Sequence, residues 1–353
     1  MAGQKILVTG SAGFIGHHLM LALRNAEHIV VGLDVLNSYY DPNLKTERLR
    51  AQGFETQRLG YNEIVQNNLG YSQYFVKLDL ADEANLQQLF SKYKFDVVIN
   101  LGAQAGVRHS IEHPQSYVSS NLVGFANVLE CCRRHSIKHL LFASSSSVYG
   151  LNSSIPFKTS DKTDLPVSFY AATKKANEAM AHSYAHLYNL PITGMRFFTV
   201  YGPWGRPDMA YYSFAEAIAT GKPIQIFNNG NMLRDFTYVD DVITSILKLL
   251  EDCPKTGATA GSTAPYKVFN IGNNKPEPLL DLVANLEQLL GKKAKLDLKP
   301  MQPGDVERTY ADVDELIQAT GYSPQTSLAD GLAKFVAWYK EYTKQPHAAV
   351  MQA

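Results

Sequence analysis

Lys5-Ile6-Leu7-Val8-Thr9 is an apolar run that ends directly on Gly10-Ser11-Ala12-Gly13-Phe14-Ile15-Gly16. The run has the pattern of a strand buried on both faces. Behind it, residues 14–24 carry apolar side chains at helical spacing. Strand, glycine-rich turn and helix in that order form the context in which a glycine triplet binds a dinucleotide. Glycines let backbone N–H groups approach a pyrophosphate, and the helix N-terminus turns partial positive charge towards it. A plain strand-to-helix turn needs no glycines at 10, 13 and 16. Gly10, Gly13, Phe14, Ile15 and Gly16 are therefore candidate cofactor contacts. Asp34 follows the second apolar run, residues 29–33, and stands 18 positions after Gly16. A carboxylate there accepts from an adenosine ribose 2′-OH and repels a 2′-phosphate, which predicts NAD rather than NADP.

Strand and helix signals then alternate. Strands are predicted at residues 74–78, 97–101, 140–143 and Ile192–Phe197, and helices at 82–92, 114–135 and Phe169–Tyr188. Such alternation implies right-handed crossovers and an α/β fold built on a doubly wound parallel sheet of the Rossmann type. Residues 38–72 break the pattern. They are polar and rich in Gln and Asn, with a short helix plausible over 44–50, and the rest reads as a surface insertion without functional meaning. After Tyr201 the texture changes to the turn-rich Gly202-Pro203-Trp204-Gly205-Arg206-Pro207. Helices at 211–220, Val239–Glu251, 278–290 and Leu328–Tyr342, a loop over 252–265 and a strand at 268–271 follow. The expected organisation is a dinucleotide-binding domain over 1–198, joined again by part of 236–275, and a smaller C-terminal α/β substrate domain over 199–345. The tail from Gln345 is expected to fray.

Lys plus Arg and Asp plus Glu both total 33, so no net field exists to recruit nucleic acid or an anionic membrane. Three cysteines, Cys131, Cys132 and Cys253, argue against a disulfide framework. No Cys or His sits beside the adjacent pair at zinc-ligand spacing, so no metal is expected and the pair reads as small apolar core residues. No signal peptide and no membrane-spanning run are read, and a soluble cytoplasmic protein is expected.

Tyr170-Ala171-Ala172-Thr173-Lys174 places a phenol and an ammonium on one helix face. A phenol is a poor base at neutral pH, and a neighbouring cation favours its ionised form. Alone the pair is unspecific. However, the strand at 140–143 runs into Ser144-Ser145-Ser146-Ser147, at the strand end where doubly wound sheets bind ligands. Hydroxyls there position a substrate proton for a tyrosinate.

The glycine triplet, the serine run, Tyr170 with Lys174, and Arg196-Phe197-Phe198-Thr199-Val200-Tyr201-Gly202-Pro203 together resemble the extended short-chain dehydrogenase/reductases. Within them the chain is similar to nucleotide-sugar 4-epimerases, most of all the UDP-glucuronate 4-epimerase branch. Ala103-Gln104-Ala105-Gly106-Val107-Arg108, Asn121-Leu122-Val123-Gly124 and residues 199–210 carry that likeness, which spans nearly the whole chain. The resemblance implies Tyr170, Lys174 and Ser145 as catalytic residues, with Ser144 and Ser146 as alternatives for the serine. It implies NAD contacts from Asn37, Asp79, Leu80, Leu101, Ala103, Gln104, Asn121, Ser144, Tyr170, Lys174 and Phe197. It also implies a homodimer built on the helices at 114–135 and Phe169–Tyr188.

In the dehydratase and decarboxylase branches an acidic residue follows the strand-end hydroxyl; here Ser146 and Ser147 stand there, and no Asp or Glu occurs between Glu130 and Asp161. Redox machinery without elimination machinery leaves C4 epimerisation of a UDP-sugar, with UDP-glucuronate to UDP-galacturonate as the first reading. A neutral or N-acetylated UDP-sugar is the alternative substrate, and an NAD-sensing protein without catalysis is the alternative class. Arg206, Arg234 and Arg308 are candidates for the diphosphate, and Asp305 for the uridine ribose. Arg108 joins the substrate contacts. Ser145, Ser146, Ser147 and Thr199 offer uncharged donors to a uronate carboxylate, which must be kept out of line with a 4-keto group to avoid decarboxylation.

Overall fold

The computed structural model describes residues 3–25, 27–57, 59–302 and 306–344. Its strands in chain order are β1 (Lys5–Thr9), β2 (Ile29–Asp34), β3 (Ile64–Gln66), β4 (Gln73–Lys77), β5 (Val97–Asn100), β6 (His139–Ser145), β7 (Ile192–Phe197), β8 (Thr199–Tyr201), β9 (Pro223–Ile226), β10 (Leu233–Tyr238), β11 (Tyr266–Ile271), β12 (Pro276–Pro278) and β13 (Lys295–Leu298). Eight of them form one sheet in the order β11-β7-β6-β5-β1-β2-β4-β3, parallel except for the edge strand β3. Central β1 pairs with β2 and β5, with Ile6 opposite Val30 and Val97. Side chains alternate across a strand. Ile6 and Val8 accordingly join one core with Leu19, Met20 and Val30, whereas Leu7 joins the other with Leu86, Phe90 and Phe125. A sheet covered on both faces explains the unbroken apolar runs of its strands.

Helices α1 (Phe14–Ala22), α2 (Pro42–Gln52), α3 (Glu83–Tyr93), α4 (His109–Glu112), α5 (Pro114–Tyr117), α6 (Gly124–Arg134) and α7 (Phe169–Tyr188) lie in the first part of the chain. Local chemistry sets their starts. The Asp82 carboxylate caps α3 by accepting from Asn85 N, and Ser168 caps α7 by accepting from Ala171 N. The helix predicted over 114–135 is instead α5, a π-helical stretch Val118–Val123, and α6. Cys131 and Cys132 are buried on α6, and all three thiols are free.

The second part contributes α8 (Ala210–Thr220), α9 (Val239–Glu251), α10 (Leu279–Leu290), α11 (Asp314–Thr320) and α12 (Leu328–Tyr342). It builds a three-stranded sheet, β12-β10-β8, and a two-stranded sheet, β13-β9. The chain returns to the large sheet through β11, which pairs with β7 along its full length. No helix of the described residues is long and apolar enough to cross a membrane.

Residues 38–72 are not a mere surface insertion. Asp41 caps α2 and Pro42 opens it. Leu44, Lys45, Arg48, Leu49 and Gln52 form its buried face. That face packs into the centre of the molecule, and β3 extends the sheet edge.

Candidate active site

A cleft of about 910 Å³ opens at the C-terminal ends of the parallel strands, between the large sheet and the β8–β10 strands. Gly10 adopts φ +69°, and a Cβ there would stand 2.8 Å from the Gly102 nitrogen. A Cβ on Gly16 would meet the Gly10 carbonyl oxygen at 2.1 Å. These glycines let β1, α1 and the loop after β5 close on one another. Gly13, the α1 N-cap, supplies no side-chain cap, and no acidic residue occupies the first turn. The N–H groups opening α1 are left for an anion. This cradle fits a dinucleotide pyrophosphate.

Asp34 lies at one end of the cleft. Its carboxylate accepts from Ala12 N at 3.2 Å and Leu36 N at 2.8 Å. Lys45 Nζ lies 4.0 Å from it and donates to Asn37 Oδ1 at 2.7 Å. Asp34 thus carries a cation beside it, which offsets part of its repulsion for a 2′-phosphate. Asn37, Asp79, Leu80, Leu101, Ala103, Gln104 and Phe197 all line the cleft.

Asn121 departs from expectation. It is buried, and its carboxamide accepts from Gln104 N and donates to Gln104 O and Thr173 Oγ1 at 2.8 to 3.0 Å. It clamps the cleft wall rather than facing into it. Ser144 lines the cleft, but its hydroxyl is taken up by a buried ion pair. Its hydroxyl donates to Glu178 Oε1 at 2.6 Å, and Glu178 forms a buried two-pronged pair with Arg196 at 2.8 and 2.9 Å. Ser145, the next residue, lines the same cleft.

Tyr170 and Lys174 come from α7, the helix that also carries Glu178. Ser145 stands by the Tyr170 hydroxyl and favours its ionised form, and it accepts from Ser147 Oγ at 2.9 Å. Burial raises the Tyr170 pKa, opposed by the Arg206 charge and the Ser145 hydrogen bond. Lys174 Nζ lies 5.9 Å from the Tyr170 ring centre and donates to the Ala143 carbonyl at 2.9 Å. Burial lowers its pKa from 10.5 to about 8. Tyr170 N donates to Ser110 Oγ at 3.1 Å, fixing the start of α7 to the loop at α4.

Ser146, Ser147, Thr199, Arg108, Arg206 and Arg234 line the same cleft. Arg206 is paired with Asp208, whose other partner is the Tyr39 hydroxyl at 3.0 Å. Arg108 lies over the Phe227 ring at 4.7 Å, and Arg234 donates to the Leu233 and Glu307 carbonyls. Arg308 does not reach the cleft. It bridges to Leu233, so its side chain is exposed and pairs with Glu307, while Thr309 faces inward. Asp305 lies outside the described residues. Tyr39, Lys45 and Asp208 are cleft residues that the sequence reading did not single out.

The sequence profile of the NAD dependent epimerase/dehydratase family matches residues 6–272. Protein CapI of Staphylococcus aureus is 50% identical over 350 residues, covering 97% of this chain and all of the relative. A probable UDP-glucuronate 4-epimerase of Rhizobium meliloti is 44% identical over 356 residues, covering 98% of this chain and all of the relative. Among solved structures, UDP-glucuronic acid 4-epimerase from Bacillus cereus, in complex with UDP-glucuronic acid and NAD, is similar with a TM-score of 0.81 and 34% identity. That match covers 96% of this chain and 99% of the other.

Proposed function

The chain belongs to the NAD dependent epimerase/dehydratase family, and on that footing we propose that it inverts C4 of a UDP-sugar, with UDP-glucuronate to UDP-galacturonate as its reaction. The carrying observation is the convergence of Tyr170, Ser145 and Lys174 in the cleft that also holds the glycine cradle.

NAD held by the Gly10–Gly16 turn, Asp34 and Lys174 supplies the hydride acceptor and donor for C4. Tyr170 as phenolate takes the 4-hydroxyl proton and returns it once the sugar has turned over. Ser145 donates to the same oxygen and holds it against Tyr170. The Lys174 ammonium, in a site of low polarity, lowers the cost of the phenolate. Ser144, locked to Glu178 and Arg196, holds the strand end rigid beneath Ser145. Arg206 and Arg234 hold the anionic parts of the substrate. Ser146, Ser147 and Thr199 hold the uronate carboxylate so that a 4-keto sugar does not lose CO₂. We assign residues 1–198 mainly to the cofactor and the chain from 199 onward mainly to the UDP-sugar.

The reading extends to a homodimer across α6 and α7, supported by the exposure of Val123, Leu187 and Tyr188. Sedimentation of the purified protein tests it. Free thiols support a cytoplasmic location. The enzyme reading itself is tested by incubating purified protein with UDP-glucuronate, UDP-glucose and UDP-N-acetylglucosamine. Turnover of a neutral sugar alone changes the substrate, and binding of NAD without turnover of any sugar removes the enzyme.

A further inference from the structure

Arg48 is fully buried on α2, and among the described residues its guanidinium meets no carboxylate. Nη1 donates to the Ala12 carbonyl at 3.0 Å and the Tyr40 hydroxyl at 2.6 Å. Nε and Nη2 donate to the Trp204 carbonyl at 3.1 and 2.6 Å, and Nη2 reaches the Gly205 carbonyl at 3.1 Å. Burying an unpaired cation costs several kcal/mol unless its donors are satisfied. A neutral apolar side chain fills a core without that cost. The five donors lie in a rigid plane, which lets one side chain bind carbonyls from two separate segments.

Those two segments are the ones that carry the ligand sites. Ala12 sits inside the glycine turn, between Gly10 and Gly13. Trp204 and Gly205 immediately precede Arg206. The strap is further held where His18 bonds the Pro203 carbonyl at 2.9 Å and where Trp204 packs on His17 with ring centres 5.1 Å apart. Trp204 itself adopts φ +60°, and a Cβ on Gly205 would meet the Tyr211 hydroxyl at 1.7 Å. A strap of this shape has little freedom once its carbonyls are fixed.

We propose that Arg48 is a positioning residue shared by both ligand sites: it ties the dinucleotide turn to the strap that delivers Arg206, and so aligns the sugar-nucleotide on the cofactor. The proposal rests on the reading that Arg206 holds the UDP-sugar. Arg48 touches neither ligand. Its effect passes through the Ala12 turn on one side and Arg206 on the other. Lysine keeps the charge and the stem, but one ammonium cannot span both sets of carbonyls.

The test is steady-state kinetics of Arg48→Lys, Arg206→Ala and the double variant with UDP-glucuronate, together with the NAD content of each purified protein. Arg48→Lys should raise KM about tenfold or more while kcat per NAD-loaded site changes little, since misplacement of a binding group by about 1 Å is costly. Bound NAD should fall as well. In the Arg206→Ala background, Arg48→Lys should add nothing further to KM. A lower melting temperature with unchanged KM overturns the proposal, and so do effects on KM that multiply in the double variant. Should Arg48→Lys fail to fold, His18→Ala loosens the same strap from its other side, and an unchanged KM there overturns the proposal. Wild-type protein that neither binds nor turns over any UDP-sugar removes the functional reading and this proposal with it. Active wild type with an indistinguishable Arg48→Lys removes the proposal alone.

Discussion

Lys174 carries a prediction that separates its electrostatics from its packing. The side chain is 3% exposed, and its ammonium is met by the Ala143 carbonyl rather than by a carboxylate. A tenfold change in proton affinity is worth about 1.4 kcal/mol. The fall from 10.5 to about 8 makes carrying the charge at pH 7 cost about 3 kcal/mol. Lys174→Met removes the charge, keeps most of the stem and forfeits one hydrogen bond worth about 1 kcal/mol. The nucleotide-free variant should therefore be about 2 kcal/mol more stable than wild type at pH 7. The advantage fades as pH rises. Between about pH 8 and 10.5 the unfolded chain binds more protons at this residue than the folded one does, so wild-type stability rises across that window. Methionine has no such rise. Urea unfolding should show the advantage of the variant shrinking by about 2 to 3 kcal/mol between pH 7 and pH 10. A variant less stable than wild type at pH 7, or a difference that does not move with pH, refutes the account of a charge forced into an apolar site.

Arg196→Met leaves Glu178 buried without its cation and should cost about 3 to 5 kcal/mol, read as a fall in the urea midpoint. Gly10→Ala strains a positive φ and drives a Cβ onto the Gly102 backbone, so the purified protein should carry far less NAD than wild type, measured by absorbance after denaturation. Replacing both Ser146 and Thr199 by Ala should divert part of the UDP-glucuronate turnover to a UDP-pentose, read by chromatography with CO₂ capture; an unchanged product ratio would dismiss hydroxyl control of the carboxylate.

The parallel sheet, the glycine turn and the Tyr170–Lys174 pair were legible because each leaves a period or a spacing in the chain. Apolar runs ended in glycine or serine, and that placed the cleft. The helix over 44–50 was legible as part of α2, but its burial was not. Its buried face contains Lys45, Arg48 and Gln52: Lys45 donates to nearby Asn37, and Arg48 and Gln52 donate to the Ala12 and Ser11 carbonyls far away in sequence. Hydrophobic periodicity reads such a face as solvent-exposed. The π-helical stretch at Val118–Val123 escaped because it changes the turn without changing composition, while bringing Asn121 against Gln104. Sequence alone does not say that Thr309 lines the cleft while its neighbour Arg308 pairs with Glu307 at the surface. Ser144 and Ser145 are alike in sequence and differ in their partners, Glu178 for the first and Ser147 for the second.

Product analysis of UDP-glucuronate incubated with wild-type protein and with Tyr170→Phe tests the central claim most directly. The account predicts that wild type yields an equilibrium mixture with UDP-galacturonate and that the phenylalanine variant loses at least about a hundredfold in rate while retaining its NAD. Full turnover by the variant, or no C4 inversion by wild type, would contradict it.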